Sequence, residues 1–180
     1  MAPSTQFTDY ASVGTAVQTR TGGKSASIAG PHGPLQFTLP EPQRIPFEPQ
    51  SFDSDAKVSL CVELDADTKA WVETIEQQLR DKCAAALNLD PKDFSPFVKN
   101  NERFGSTLLR VKWIRSGHHA TNFWTQDRQL IEPPSELAQR YARIQVTIGQ
   151  CWMQNRQWGI TLFAANVELA EGGGPPVCPF

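Results

Sequence analysis

Alternation of apolar and polar side chains is the strongest signal along this chain. Ile144, Val146, Ile148, Gln150 and Trp152 recur at every second position, a turn falls at Asn155-Arg156-Gln157, and Trp158 to Phe163 leads back toward Val167 and Leu169. Period two marks a strand with one buried face, so the segment predicts a long hairpin over 143–169. Val58, Leu60, Val62 and Leu64 alternate in the same way with Lys57, Ser59, Cys61 and Glu63. Leu109, Val111 and Trp113 alternate with Arg110, Lys112 and Arg115, which predicts a strand over 108–115 with one apolar and one basic face. A turn at Ser116 to Ala120 precedes a further strand that begins Thr121-Asn122-Phe123-Trp124.

The period lengthens once. Trp71, Ile75, Leu79, Cys83 and Leu87 recur every fourth residue, which places them on one stripe of a helix. Asp67 or Thr68 is suited to cap its start, and Asn88 with the Asp90-Pro91 step ends it. Pro133-Pro134 followed by Ser135-Glu136-Leu137 reads as a short Pro-led helix or a loop. One helix among so many strands leaves no room for a parallel crossover sheet. The expected fold class is therefore mainly β, a small antiparallel β barrel with one inserted helix and a long C-terminal hairpin.

Composition alters this picture at the two ends. The chain has 14 Pro and 12 Gly among 180 residues, many of them before residue 51 or after residue 171. Residues 1–30 are mostly small or polar and bury too little surface to offset the entropy of ordering. Residues 31–50 contain Pro31, Pro34, Pro40, Pro42, Pro46 and Pro49, interrupted by an alternating Leu35 to Leu39 that could add an edge strand. The expected organisation is a disordered arm and Pro-rich linker over 1–50, a barrel domain over 51–170 and a flexible Gly/Pro tail over 171–180. On this reading the arm before about Phe52 is dispensable for folding.

The formal net charge is −2, so no whole-molecule field draws a polyanion. Charge is nevertheless uneven: Pro96 to Arg128 holds six basic side chains (Lys99, Arg103, Arg110, Lys112, Arg115, Arg128) against Glu102 and Asp127. Phe104, Trp113, Phe123 and Trp124 lie among them. Cations that neutralise phosphates, interleaved with rings that stack on bases, are what a single-strand site requires. The hairpin adds Gln145, Thr147, Gln150, Gln154, Arg156, Gln157 and Trp158, whose amides and indole suit contact with nucleobases or another polar polymer.

Other chemistries find little support. The sequence has no G-x-S-x-G, no phosphate-cradling glycine loop and no H-E-x-x-H, so no enzyme, catalytic residue or cofactor is expected. His118 and His119 point apart on an extended chain and have no Cys or acidic partner at ligand spacing, so no metal site is expected. Cys61, Cys83, Cys151 and Cys178 form no C-x-x-C pair and read as reduced thiols of an intracellular protein, cytoplasmic or nuclear. No apolar run reaches the length of a membrane span, so no membrane partner is expected.

The run Ala142 to Leu169, with Trp152, Gly159-Ile160 and Val167-Glu168-Leu169, resembles the C-terminal hairpin of the single-stranded DNA-binding proteins of phages and large DNA viruses. The basic strand Leu108 to Arg115, followed by Phe123-Trp124, sits where such proteins carry a DNA-facing strand. The resemblance implies an OB-fold barrel with a helix between strands, coating DNA exposed in replication and recombination. It also implies a tail that recruits replication partners, often ending Pro-Phe as Pro179-Phe180 does here. The family's tail is acidic, whereas this one has only Glu168 and Glu171 nearby.

Together these readings assign single-stranded DNA as the partner, with RNA as the alternative nucleic acid. Arg110, Lys112 and Arg115 would contact phosphates, Arg103, Arg128 and Arg156 would extend the track, and Phe123, Trp124 and Trp158 would stack on bases. The rival class is a viral or cellular assembly protein, a β-barrel coat component that packs into a homo-oligomer, placed in the host nucleus or cytoplasm if viral.

Overall fold

The hairpin predicted from the period-two pattern forms the spine of the molecule. In the computed structural model, which describes residues 11–51, 57–103 and 105–171, fourteen strands surround one long helix. Six short strands come first: β1 (Ser12–Val13), β2 (Val17–Gln18), β3 (Lys24–Ala29), β4 (Gln36–Thr38), β5 (Gln43–Arg44) and β6 (Gln50–Ser51). Strand β7 (Lys57–Glu63) leads into helix α1 (Ala66–Leu87), a single 3-10 turn (Pro91–Asp93), β8 (Phe94–Ser95) and β9 (Val98–Asn101). The chain then forms β10 (Ser106–Ile114), β11 (Asn122–Thr125), β12 (Leu130–Ile131), β13 (Tyr141–Gln154) and β14 (Gln157–Leu169).

Pairing closes a ring in the order β13, β5, β7, β10, β14 and back to β13. This is an OB-type arrangement, with α1 inserted between β7 and β10. It is not wholly antiparallel, because β14 runs parallel to β8, β10 and β11. The interior is filled from every wall: Val58, Leu60 and Val62 from β7, Leu109, Val111 and Trp113 from β10, and Ile144, Val146 and Ile148 from β13. Helix α1 adds Val72, Ile75, Leu79 and Cys83 to the same core.

Two bulges interrupt the β13–β14 ladder. The register steps from Gln145↔Asn166 to Val146↔Ala164, which leaves Ala165 unpaired. It steps again between Ile148↔Leu162 and Cys151↔Ile160, where Gly149 and Gln150 oppose Thr161. A Cβ at Gly149 would stand 2.5 Å from the Phe163 ring, so the ring rests directly on bare backbone there.

The segment read as a linker is a wall of the fold, and this corrects the expected domain boundary. Leu35, Phe37, Leu39, Gln43 and Ile45 are all buried, continuing a period-two pattern across the prolines. Strands β4 and β5 pair with β13, and Leu39 N–H and Ile45 N–H donate to the carbonyls of Ile144 and Arg140. Pro40 and Pro42 fall between these two donors, so their missing N–H groups cost the ladder nothing. Strand β3 likewise pairs with β13 and buries Ala26 and Ile28. Residues 1–10 and the tail 172–180 lie outside the described residues, and with them the partner-docking reading of Pro179-Phe180.

The helix starts earlier than expected. Asp65, not Asp67 or Thr68, is the N-cap, accepting from Thr68 N–H at 2.7 Å, and Asn88 closes the helix in the left-handed conformation. Gln43, 2% exposed, holds this cap from below: its amide donates to Asp65 Oδ2 at 2.9 Å and accepts from Asp65 N–H at 2.8 Å. The segment 132–140 forms no helix. It is tied to the β5–β6 loop by Glu48, whose carboxylate accepts from Leu137 N–H and Ala138 N–H at 2.9 and 2.8 Å.

Buried Glu76 accepts from Phe97 N–H at 2.8 Å and Val98 N–H at 3.1 Å, anchoring the chain between β8 and β9 to the helix. Burial pushes its pKa up from 4.5, against the pull of those two donors. Folded Glu76 thus holds its proton more tightly than the unfolded chain does. Its contribution to stability should be full below the ordinary value of 4.5 and be lost as pH rises through the raised folded value. Urea midpoints measured across that range should fall with pH in the wild type and fall less in Glu76→Gln.

Phe37 meets Trp71 edge-on at 5.6 Å between ring centres, joining the N-terminal wall to the helix. Phe37→Ala should lower stability by about 3–5 kcal/mol in denaturant titration. Trp71→Ala, at a half-buried position, should lower it by less. Deleting residues 11–51 should abolish the cooperative transition altogether.

Candidate nucleic-acid interface

The outward face of β7 and β10 is built by register. Arg110 lies opposite Cys61, Lys112 opposite Ser59, and Ile114 opposite Lys57. Strand β9 extends the same face with Lys99, opposite Leu108. Directly opposed residues share a face, so Lys57, Lys99, Arg110 and Lys112 stand on one side of the sheet. None of the four takes part in an ion pair among the described residues. Glu63, an acid on this face, is held by Arg44, whose Nε donates to it at 3.0 Å.

Lys112 shows the electrostatic character of the face. Partial loss of hydration lowers its pKa, and the charge of Lys57 lowers it further. Beside it, Phe47, Gln50, Ser59, Cys61 and Arg110 line a small cavity of about 140 Å³. Phe47 is 38% exposed, and Ser59 Oγ is buried there without a hydrogen-bond partner.

The face continues across β14. Lys112 pairs with Phe163, and farther along the strand Asn122 and Trp124 lie opposite Asn166 and Glu168. On the other flank of β14, Gln145 and Arg143 face the same two residues. Trp124, Arg143, Gln145, Asn166 and Glu168, with Thr38 and Arg128, line a groove of about 480 Å³. Trp124 Nε1 donates to Asn166 Oδ1 at 2.7 Å, and Asn166 Nδ2 donates to Gln145 Oε1 at 2.6 Å. Arg143 is bonded to Glu168 at 2.9 Å.

The structure brings some of the expected contact residues together and separates others. Arg110 and Lys112 share the basic face, and Trp124 and Arg128 share the groove. Arg103 is exposed at the β9–β10 turn. Arg115 lies beyond the end of β10, off the basic face, with its guanidinium 5.3 Å from the centre of the Trp113 ring. Its odd number puts it in phase with Trp113 rather than with Arg110 and Lys112. Arg156 sits at the β13–β14 turn, beside Lys24 and Asp90 around a separate depression of about 450 Å³. That turn is at the opposite end of β14 from Trp124.

Two of the expected stacking rings are core residues. Phe123 is 1% exposed and packs on Trp113 at 5.0 Å between centres. Trp158 is 2% exposed, packs on Phe94 at 4.7 Å and donates its indole N–H to the Asp90 carbonyl at 2.7 Å. Both rings are on the inner side of their strands, where no base can reach them. The sequence reading missed Phe47, Lys57 and Arg143. Lys57 carried a signal, being in phase with the outward positions of β7, whereas Phe47 was hidden in the segment taken for a linker.

No protein-family model and no curated protein matches the sequence. Solved structures do match. A single-stranded DNA-binding protein from bacteriophage Enc34, in complex with single-stranded DNA, superposes with a TM-score of 0.54 at 13% identity, over 91% of this chain and 98% of that one. A C-terminal truncation of the same phage protein gives 0.55 at 14%, over 93% and 98%. A single-stranded DNA-binding protein encoded by bacteriophage T7 gives 0.53 at 13%, over 80% and 92%. This chain has the fold of phage single-stranded DNA-binding proteins. At such identities the likeness lies in the path of the backbone, and the side chains of the face are this chain's own.

Among the described residues, no cluster of His, Cys, Asp or Glu could hold a metal ion, and no helix is long and apolar enough to cross a membrane. Replacing Lys57 with Gln should raise the pKa of Lys112 toward, but not fully to, its ordinary value, because the loss of hydration remains. Titration of the lysine side-chain resonances by NMR measures this directly.

Proposed function

We propose that this protein is a non-catalytic single-stranded DNA-binding protein that coats strands exposed in replication or recombination. The observation that carries the reading is the outward face of β7, β9 and β10, where four cations with no ion-pair partner among the described residues stand beside a partly exposed Phe47. That face leads over Phe163 into the Trp124 groove. Arg110, Lys112, Lys57 and Lys99 would meet phosphates, and Phe47 and Trp124 would stack on bases. In OB folds the face of the second and third strands, here β7 and β10, is the one that takes oligonucleotides. The structural neighbours from bacteriophages Enc34 and T7 are single-stranded DNA-binding proteins, which supports the reading. Coating implies that copies lie side by side on the strand, so self-association and recruitment of replication partners belong to the same proposal.

The net charge of −2 makes the attraction local and therefore sensitive to salt. Titration of a fluorescent oligo-dT at several salt concentrations tests the reading. Replacing Arg110 and Lys112 together with Ala should weaken binding and flatten the log–log salt dependence by roughly 0.7 per lost contact. Replacing Phe47 or Trp124 with Ala should cost about 1–3 kcal/mol of affinity and leave the slope unchanged, because stacking releases few ions. Wild-type protein that ignores oligo-dT at low salt would make a self-assembling coat component the better account.

A further inference from the structure

We infer that the Trp124 groove is a base-reading subsite that takes guanine in preference to adenine; the inference rests on the single-stranded DNA-binding reading above. An indole N–H can only donate. Trp124 therefore forces Asn166 to present its oxygen, and the observed 2.7 Å contact is to Oδ1. The amide nitrogen of Asn166 is then left to donate to Gln145 Oε1, at 2.6 Å. Each amide in this relay has its orientation set by the one before it. The last group in the chain is Gln145 Nε2, a donor with no hydrogen-bond partner among the described residues.

Arg128, among the remaining polar groups of the groove, reinforces that sign. Arg128 is exposed, and among the described residues its guanidinium makes no hydrogen bond or ion pair. Its position is fixed by the turn after β11, where its backbone N–H donates to the Thr125 carbonyl at 3.0 Å in the left-handed conformation (φ 61°). The acid of the groove, Glu168, is neutralised by Arg143. A ring lying against Trp124 thus meets donors at its edge. Guanine offers two adjacent acceptors, O6 and N7, whereas adenine places its N6 amino donor where O6 would be. Donor would then face donor, and the adenine complex would lose a hydrogen bond.

The test uses the full chain and two short oligo-dT strands that differ at one central position, dG or dA, titrated by fluorescence anisotropy. Wild-type protein should bind the dG strand roughly five- to tenfold more tightly. Gln145→Glu keeps an acceptor for Asn166 but ends the relay in an acceptor instead of a donor. It should weaken both strands through its charge and bring the dG/dA ratio to one or below. Arg128→Ala, at an exposed position that the fold does not need, should lower the same ratio. Equal wild-type affinity for the two strands overturns the guanine reading and leaves single-stranded DNA binding intact. A wild-type preference that both variants retain, with native circular dichroism, overturns the donor relay. Failure of the wild type to bind either strand removes the single-stranded DNA-binding reading itself, and this inference with it.

Discussion

Strand β13 is hydrogen-bonded along both of its edges, and most of the architecture follows from that. One edge receives β3, β4 and β5 in succession, and the other carries β14 along nearly its whole length. A central strand of this kind fixes every neighbour's register by backbone pairing, so the outward side chains need no packing of their own to be placed. Gln145 and Arg143 stand over β14 for this reason, and so do their partners Asn166 and Glu168. The same strand buries Ala142, Ile144, Val146, Ile148 and Cys151 inward, so the core and the groove are two sides of one ladder.

What the sequence revealed depended on whether one period held without interruption. Strands β7, β10 and the β13–β14 hairpin alternate cleanly, and all were legible. The helix was legible from its four-residue spacing, though the stripe overstated Trp71, which is half-buried, and overlooked Val72, which is fully buried. The N-terminal wall was misread because prolines were counted as breakers. The positions between them, Leu35, Phe37, Leu39, Gln43 and Ile45, keep a single phase that only an extended strand explains. On the candidate face, strict phase sets Arg110 and Lys112 together on the outward side of β10 and Arg115 in step with Trp113. Rings were harder still, since alternation cannot say which member of Phe123-Trp124 faces inward until a neighbouring strand is in place.

The chain is slightly acidic overall yet carries a locally basic face. The formal net charge is only −2, while cations at fixed strand positions concentrate positive potential on the face where the proposed reading lays a strand. The Arg44–Glu63 and Arg143–Glu168 pairs sit at the margins of that face. Each engages an acid of that region with a cation, and as partly exposed pairs they add little to stability. Phe163, seated on Gly149, spans the ground between the basic strand and the groove.

The single unpaired residue Ala165 has a consequence at the level of the gene. Before it, β14 turns its odd-numbered side chains outward, among them Thr161 and Phe163; after it, the even-numbered Asn166 and Glu168 face out while Val167 and Leu169 are buried. Losing one codon between positions 163 and 166 would invert the later half, pressing an amide and a carboxylate into oil and exposing two aliphatic chains. Inheritance should therefore tolerate a change of letter at this spot far more readily than a change of length, and the spacing from Phe163 to Asn166 should persist in descendants whose surrounding residues have drifted beyond recognition.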